Sequence, residues 1–251
     1  MKWFENNSKR VEQQLRNRDK ALFRIISFDS LLQMLNEKRN WLVRTSMWED
    51  SYENFMLKEQ FQKNGHPLSL EHMSNQWFGQ CWTTRMSSDA MWRIYSPDKK
   101  GIRIKTTIGQ LWDSAMAYNG DGHFMIGKVE YFAQSKIRKD LLDGSPYDID
   151  SLVDIMISSF FVKRNSFSHE SEYRIIYHCG EQSKDYAKDT VFLDISPQEF
   201  ISNIYFDPRA DSTYVERCKQ ILTKAFNYPG ERIHKSSLFN FKPSIVIIKN
   251  D

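Results

Sequence analysis

Residues 167–177 read FSHESEYRIIY, a polar turn that runs into a short apolar strand. Side chains alternate between the two faces of a strand, so Glu170, Glu172 and Arg174 are expected to share one face. Three charges on one face have two explanations. They form either a solvated outer face with cross-strand ion pairs, or a cleft in which one carboxylate stabilises a cationic intermediate and the other positions a nucleophile.

Strands and helices alternate irregularly around this segment. The predicted strands cover residues 21–27, 41–45, 78–84, 102–106, 125–132, 173–177, 191–195, 201–206 and 245–248. The predicted helices cover residues 30–39, 56–76 with a break at 65–67, 88–95, 108–117, 149–164 and 211–226. Asp29 or Ser30 is expected to cap the first of these helices. The mixed order predicts an α+β fold with a split, mostly antiparallel sheet flanked by helices.

The chain is predicted to form one large domain after a short extension. Residues 8–20 are polar and contain neither Gly nor Pro, so residues 1–20 are predicted to be an exposed helical extension. No segment rich in Gly, Ser or Pro divides residues 21–251. We therefore expect these residues to form a single α+β domain of the catalytic type.

The composition argues against several classes of protein. A net charge of +3 is compatible with RNA or another anionic partner, but it is far below that of a dedicated nucleic-acid binder. Three cysteines without CxxC spacing and six histidines without HExxH spacing argue against a disulfide scaffold and a metal site. No apolar run approaches the roughly 20 residues of a membrane span, and the first residues lack a signal-peptide core. We expect a cytoplasmic protein without a membrane partner.

Two further groups of residues could act together with the glutamates. Thr83 and Thr84 end a predicted strand, where they could support a bound nucleotide or cap a helix. Trp92 and Tyr95 lie on the helix that follows, and Trp92 is also suited to the core. Arg24 is a single charge in the first strand, where it could bind a pyrophosphate through two hydrogen bonds or mark an edge strand.

The order of these motifs resembles that of a family of bacterial and phage proteins known only as a domain of unknown function. The shared features are a hydroxyl-bearing strand at 81–84, a Met-Trp-x-x-Tyr helix at 91–95, Gly101 before a strand, and Glu-x-Glu-x-Arg at 170–174. The opening residues 22–24 and the acidic segment WEDSYE at 48–53 also fit. The resemblance covers roughly residues 20–210.

The same order is similar to the Arg, Ser-Thr-Ser, Glu-x-Glu arrangement of ADP-ribosyltransferases. This resemblance implies an ADP-ribosyltransferase-like split sheet, with NAD as the co-substrate. It implies that Arg24 contacts the NAD phosphates and that Thr83 and Thr84 support the nicotinamide ribose. By the same resemblance, Glu172 is the catalytic residue and Glu170 positions the acceptor.

Two features of the chain depart from the transferase pattern. Trp82-Thr83-Thr84 stands where that pattern has Ser-Thr-Ser, and Arg174 has no counterpart in it. The aromatic residue that stacks on nicotinamide is not fixed by the pattern, and Trp92 and Tyr95 are the candidates.

The resemblance predicts an NAD-dependent ADP-ribosyltransferase, expected to be a bacterial toxin or anti-phage effector. The expected acceptor is RNA or a host protein, and an antitoxin partner is conceivable. Two other functions stay open. One is a non-enzymatic regulatory domain whose charged strand binds a partner. The other is a nuclease with a metal ion between the WEDSYE and Glu-x-Glu carboxylates, but capping of the helix that follows WEDSYE explains Asp50 and Glu53 equally well.

Overall fold

Short apolar strands pair into a nine-stranded, mostly antiparallel sheet flanked by helices. The computed structural model describes residues 11–13, 15–141, 149–241 and 243. In chain order the strands are β1 (Ala21–Ile26), β2 (Arg39–Arg44), β3 (Gln60–Lys63), β4 (His66–Ser69), β5 (Trp77–Thr83), β6 (Ile102–Thr107), β7 (His123–Lys128), β8 (Glu130–Phe132), β9 (Val162–Arg164), β10 (Glu172–His178), β11 (Thr190–Asp194), β12 (Asn203–Phe206) and β13 (Ile233–Lys235).

Eight α-helices and several short 3-10 helices connect the described strands. The α-helices are α1 (Phe28–Glu37), α2 (Phe55–Lys58), α3 (Asp89–Tyr95), α4 (Ile108–Met116), α5 (Gln134–Leu141), α6 (Ile149–Ser159), α7 (Pro197–Phe200) and α8 (Ser212–Phe226). The 3-10 helices cover Thr45–Met47, Ser51–Asn54, Glu71–Gln76, Asn165–Glu170 and Gly230–Arg232.

The sheet splits beside β5. One edge of β5 pairs with β10 along its whole length, beginning with Glu172 opposite Thr83, and β7 pairs with the other edge of β10. The second edge of β5 pairs with the end of β2 and, at a single residue, with β1, where Phe23 lies opposite Thr83. From there β2 leads to β11, whereas β1 leads to β6, β12 and β13. The predicted split, mostly antiparallel α+β architecture is confirmed.

The chain opens with the predicted β-α-β unit. Helix α1 begins after Ser27, whose Oγ accepts a hydrogen bond of 3.0 Å from the backbone N–H of Ser30. The predicted caps Asp29 and Ser30 are therefore wrong, because the extended backbone at Ser27 lets its hydroxyl reach the free N–H groups. Strand β1 lies between β5 and β6, so the interpretation of Arg24 as an edge-strand charge is also wrong.

The predicted helix over residues 56–76 is wrong. Only Phe55–Lys58 is α-helical, and β3 and β4 then form an antiparallel hairpin. Asn64 and Gly65 both have positive φ, at 55° and 79°, which is the requirement of a two-residue hairpin turn. The Asn-Gly pair was the signal for this turn, and it outweighs the helical spacing of the flanking residues.

The helix predicted over 149–164 ends earlier, at Ser159. Residues Val162–Arg164 instead form β9, which pairs in parallel with β8. The predicted strand 125–132 is correspondingly two strands, because Val129 leaves the ladder and donates its N–H to the carbonyl of Glu172 at 3.0 Å. The β8–β9 pair is thereby attached to the first residue of β10.

Two apolar clusters fill the interior. The larger lies between the sheet and α1, α4 and α8, and the smaller surrounds Trp77, Phe160 and Ile176 beneath β10. Among the described residues, none of the helices combines the length and the apolar character that a bilayer crossing requires. The predicted strand 245–248 lies outside the described residues. In the predicted extension, residues 11–13 and 15 are helical; the division at residue 20 stays a prediction.

Candidate active site

The charged residues that open β10 are buried. Glu170, Glu172 and Arg174 are 3%, 5% and 0% exposed, so the interpretation as a solvated outer face is wrong. Glu170 is also not on the strand: it ends a 3-10 helix, and Ser171 turns the chain into β10 with a φ of 46°. The two glutamates therefore approach each other across a turn rather than along one strand.

Lys163 and Glu53 complete this cluster. Nothing in the sequence connects these two residues. Lys163 on β9 places its Nζ 2.6 Å from Glu170 Oε2, 2.8 Å from Glu172 Oε1 and 3.2 Å from Glu53 Oε1. Glu53 belongs to the acidic segment that the sequence interpretation assigned to helix capping. Asp50 does cap that 3-10 helix, but Glu53 points inward and is 6% exposed.

Four of these residues form a closed ring of alternating charge, called here the ion-pair ring: Lys163, Glu53, Arg174 and Glu172. Arg174 Nε lies 2.6 Å from Glu172 Oε2, and its Nη2 binds Glu53. Its Nη1 donates to the carbonyl of Phe160 at 2.8 Å. Buried charges are tolerated when they are paired and hydrogen-bonded in this way.

The charge states in the cluster follow from these contacts. Burial alone would raise the pKa of Glu172, but Arg174 and Lys163 outweigh it and lower that pKa to about 2. Burial and the neighbouring Glu172 raise the pKa of Glu170 above its ordinary value. The pKa of Lys163 is also raised, because the attraction of Glu172 and Glu53 exceeds the effect of burial. Glu172 is therefore an anion at neutral pH, and Glu170 is the carboxyl group that retains a proton more readily.

The two predicted threonines support the turn between the glutamates. Thr83 Oγ1 donates to the carbonyl of Glu170 at 2.5 Å, and Thr84 Oγ1 donates to the carbonyl of Ser171 at 3.2 Å. Because these hydroxyls are engaged with backbone, their contact to a nucleotide stays a prediction. These two hydrogen bonds attach the end of β5 to the segment that leads into Glu172.

The two predicted aromatic residues have different surroundings. Tyr95 is 46% exposed, and its hydroxyl donates to Glu170 Oε1 at 2.7 Å, so it connects the buried cluster to the surface. Trp92 is fully buried, and the guanidinium of Arg103 lies 5.4 Å from the centre of its ring. This position of Trp92 favours core packing over stacking on a ligand.

Arg24 lies in the split of the sheet and differs from the other site residues in its contacts. It is only half-buried, yet its Nη1 atom is shielded from solvent and finds no hydrogen-bond partner among the described residues. Its guanidinium carbon lies 5.9 Å from the ring centre of Trp41 on β2. Burial lowers the pKa of Arg24 to about 10. A cation in this state has a free donor for an anionic ligand.

Cys81 is close enough to interact electrostatically with both Arg24 and the ion-pair ring. It stands opposite Arg174 in the β5–β10 ladder and is half-buried. The Cys81 thiol, whose pKa is raised by burial and then by Glu172, interacts electrostatically with both Glu172 and Arg24. We call Arg24, Trp41 and Cys81 the Arg24 corner. Arg24, the end of β5 and Glu172 thus lie on the three adjacent strands β1, β5 and β10, and their joint contact with a bound dinucleotide stays a prediction.

The carboxylates predicted for a nuclease do meet, but around a different cation. Glu53 comes from the WEDSYE segment and joins Glu170 and Glu172, with the ammonium group of Lys163 between all three. Among the described residues, no group of three His, Cys, Asp or Glu side chains is arranged to hold a metal ion. Lysine takes the central position that a metal ion would need, so the cluster itself gives no support to the nuclease interpretation.

Comparison with known proteins gives one sequence match. Residues 91–175 match the model of a family described as a protein of unknown function, DUF2971. The match covers about a third of the chain. It runs from the Met-Trp-x-x-Tyr helix to the Glu-x-Glu-x-Arg segment. It agrees with the expected resemblance to a domain of unknown function. No curated protein matches the chain.

Solved structures similar to the chain include three of DarT from Thermus sp. 2.9. The complex with NAD+ has 10% identity and a TM-score of 0.40, and the alignment covers 86% of this chain and 95% of that one. The complex with ADP-ribosylated ssDNA has 9% identity, a TM-score of 0.39 and coverage of 86% and 94%. The complex with carba-NAD+ has 8% identity, a TM-score of 0.38 and the same coverage, 86% and 94%. Because similarity at this level identifies no site, we infer function from the chain's own residues.

Proposed function

We propose that this protein is an NAD-dependent ADP-ribosyltransferase, with Glu172 as its catalytic carboxylate and Arg24 as its ligand for the NAD phosphates. Two observations carry the proposal. The guanidinium of Arg24 has a shielded N–H without a partner among the described residues, and the Glu172 carboxylate is held by ion pairs with Lys163 and Arg174. A dinucleotide carries an anionic pyrophosphate and a ribose that becomes cationic during transfer, so it needs both groups.

The residues support the reaction as follows. The bond between the nicotinamide nitrogen and ribose C1′ breaks, and its electron pair leaves with nicotinamide. The resulting positive charge on the ribose is stabilised by the Glu172 carboxylate, whose position is already fixed by ion pairs before any ligand binds. The acceptor then forms a bond to C1′ and releases its proton to water. Glu170, which shares Lys163 with Glu172, is the residue proposed to position the acceptor, and Tyr95 links Glu170 to the surface.

The acceptor is proposed to be RNA or a protein, and the biological role that of a bacterial toxin or anti-phage effector, with a possible antitoxin partner. The net charge of +3 favours RNA, because phosphates attract cations. The Trp residues add little to this argument, because Trp77, Trp82 and Trp92 are buried and cannot stack on bases. Tyr95 lies where an acceptor would approach Glu170, since it is the exposed partner of that carboxyl group.

The test is transfer from NAD labelled in its adenylate phosphate. The protein is incubated separately with total RNA, single-stranded DNA and a protein lysate, beside Glu172→Gln and the exposed-surface control Glu216→Gln. We expect label on at least one acceptor with wild type and Glu216→Gln, and a loss of at least about 100-fold with Glu172→Gln. Circular dichroism confirms that each variant is folded.

The other open functions give different results in the same assays. A protein that neither consumes NAD nor binds it in calorimetry is not a transferase. Magnesium-dependent cleavage of the nucleic acids would support the nuclease. Capture of a partner without any turnover would support the regulatory domain.

A further inference from the structure

Lys163 holds both glutamates of the Glu-x-Glu segment. Its Nζ atom contacts carboxylates from three separate segments, namely the 3-10 helix Ser51–Asn54, the 3-10 helix Asn165–Glu170 and strand β10. We propose that Lys163 is a positioning residue that fixes the Glu172 carboxylate for catalysis. This inference rests on the proposed transferase activity.

Arg174 alone leaves the orientation of the Glu172 carboxylate undetermined. One N–H of its guanidinium, at Nε, reaches Glu172 Oε2, while Nη1 binds the carbonyl of Phe160 and Nη2 binds Glu53. A carboxylate held through one oxygen can still rotate about its bond to Cγ. Lys163 holds the other oxygen, Oε1, at 2.8 Å, so the two cations together fix the plane of the carboxylate.

Lys163 also sets the distance between the two glutamates. Its ammonium group binds Glu170 Oε2 and Glu172 Oε1 at once, which bridges the turn at Ser171. A lysine has three N–H donors and can serve three acceptors that do not lie in one plane.

The position of Lys163 is itself rigid. It stands opposite Tyr131 in the parallel β8–β9 pair, and the Tyr131 hydroxyl accepts a hydrogen bond of 2.8 Å from the backbone N–H of Glu172. The ring of Phe167 packs against the ammonium group, with its centre 4.5 Å from Nζ. The same small sheet therefore fixes both the backbone of Glu172 and the cation that binds its side chain.

Loss of Lys163 would change the charge of the cluster. Glu53 and Glu172 would then share Arg174 as the remaining cation of the ion-pair ring, and Glu170 would lose its ion pair. The pKa values of Glu170 and Glu172 should rise as a result, because each has lost an attractive charge within 4 Å. The other titratable or charged groups around this position are Arg174, Cys81, Tyr95 and Tyr131.

The experiment compares wild type, Lys163→Met and Lys163→Arg by two measurements. The first follows the carboxyl carbon of each Glu by NMR as a function of pH, and it needs no NAD. The second is the pH dependence of kcat for NAD consumption. We expect the titration of Glu172 and the acidic limb of kcat to move together to higher pH in Lys163→Met, by about one to three units. Lys163→Arg keeps the charge and should leave both close to wild type.

Each result either supports or overturns the proposed role of Lys163. Unchanged titration and an unchanged acidic limb in Lys163→Met would overturn the proposal, even if kcat fell. It is also overturned if Lys163→Arg shifts as far as Lys163→Met. If Lys163→Met does not fold, Glu53→Gln replaces it. With one carboxylate fewer on Lys163, Glu170 should titrate at lower pH than in wild type, and an unchanged value contradicts the proposal. A wild type that consumes no NAD refutes the transferase, while the NMR titration still decides whether Lys163 controls Glu172.

Discussion

The ion-pair ring and the Arg24 corner are both made of charges removed from water, but only the ring is complete. In the ring, every charged side chain binds at least two partners. In the corner, Arg24 has an aromatic neighbour and a thiol, and its Nη1 has no partner among the residues described. An enzyme needs fixed groups at the reacting atoms and free groups where a ligand binds. This difference supports the proposal that Glu172 in the ring acts in the chemistry and that Arg24 in the corner binds the ligand.

The largest effect is expected from opening the ring at Arg174. Arg174→Met leaves Glu53 and Glu172 buried with Lys163 as their only close cation in the described part of the chain, and should lower the free energy of unfolding by about 3–5 kcal/mol. Urea unfolding measures the change. Arg93→Met is the matched control, because Arg93 forms an exposed pair with Asp89 and its loss should have little effect. Equal effects of the two substitutions would show that the ring is not a structural unit.

A somewhat smaller effect is expected when acid titrates the ring. The pKa of Glu172 falls from 4.5 to about 2 on folding, so the ionised form stabilises the native state above pH 4.5. That contribution, up to about 3 kcal/mol, is lost as the pH falls from about 4.5 towards 2. Glu170 acts in the opposite direction, because its raised pKa favours the native state at low pH. Unfolding measured from pH 6 to pH 2 should show a weaker pH dependence in Glu172→Gln than in wild type.

The sequence predicted the strands that carry both regions but not the side-chain contacts within them. The strands that carry Arg24, Thr83 and Glu172 follow from short apolar runs, whereas their adjacency in the sheet does not follow from the order of elements, which indicates only the fold class. The ion-pair ring could not be predicted, because Glu53 and Lys163 are 110 positions apart in the sequence and meet through tertiary packing alone. Glu53 could be explained locally as a capping residue, and that explanation hid its long-range ion pairs with Lys163 and Arg174.

Arg24→Met tests the Arg24 corner. Its control is a substitution of Arg44, a cation whose three guanidinium nitrogens all donate hydrogen bonds. Arg24→Met removes a shielded donor without a partner, so the free protein should be no less stable, whereas NAD affinity should fall about 10- to 100-fold. Arg44→Met is the control, because the Arg44 guanidinium binds the carbonyls of Lys188 and Tyr186 and the side chain of Asn75. This control should lose stability and keep its affinity for NAD. Calorimetry and thermal unfolding of both variants provide the data, and a stability loss in Arg24→Met with unchanged affinity would reverse the roles assigned to the two regions.

The smallest effect is expected at Tyr95, where the buried cluster reaches the surface. Tyr95→Phe removes the hydroxyl that donates to Glu170 Oε1 at 2.7 Å and keeps the ring in place. The stability cost should be about 1 kcal/mol, because the carboxyl group retains Lys163 as a partner. Since Tyr95 contacts Glu170 and not Glu172, hydrolysis of NAD by water should hardly change, while transfer to the acceptor should slow. Parallel assays with and without acceptor separate the two rates. An equal decline in both rates would mean that Tyr95 only supports the structure around Glu170 and plays no part in binding the acceptor.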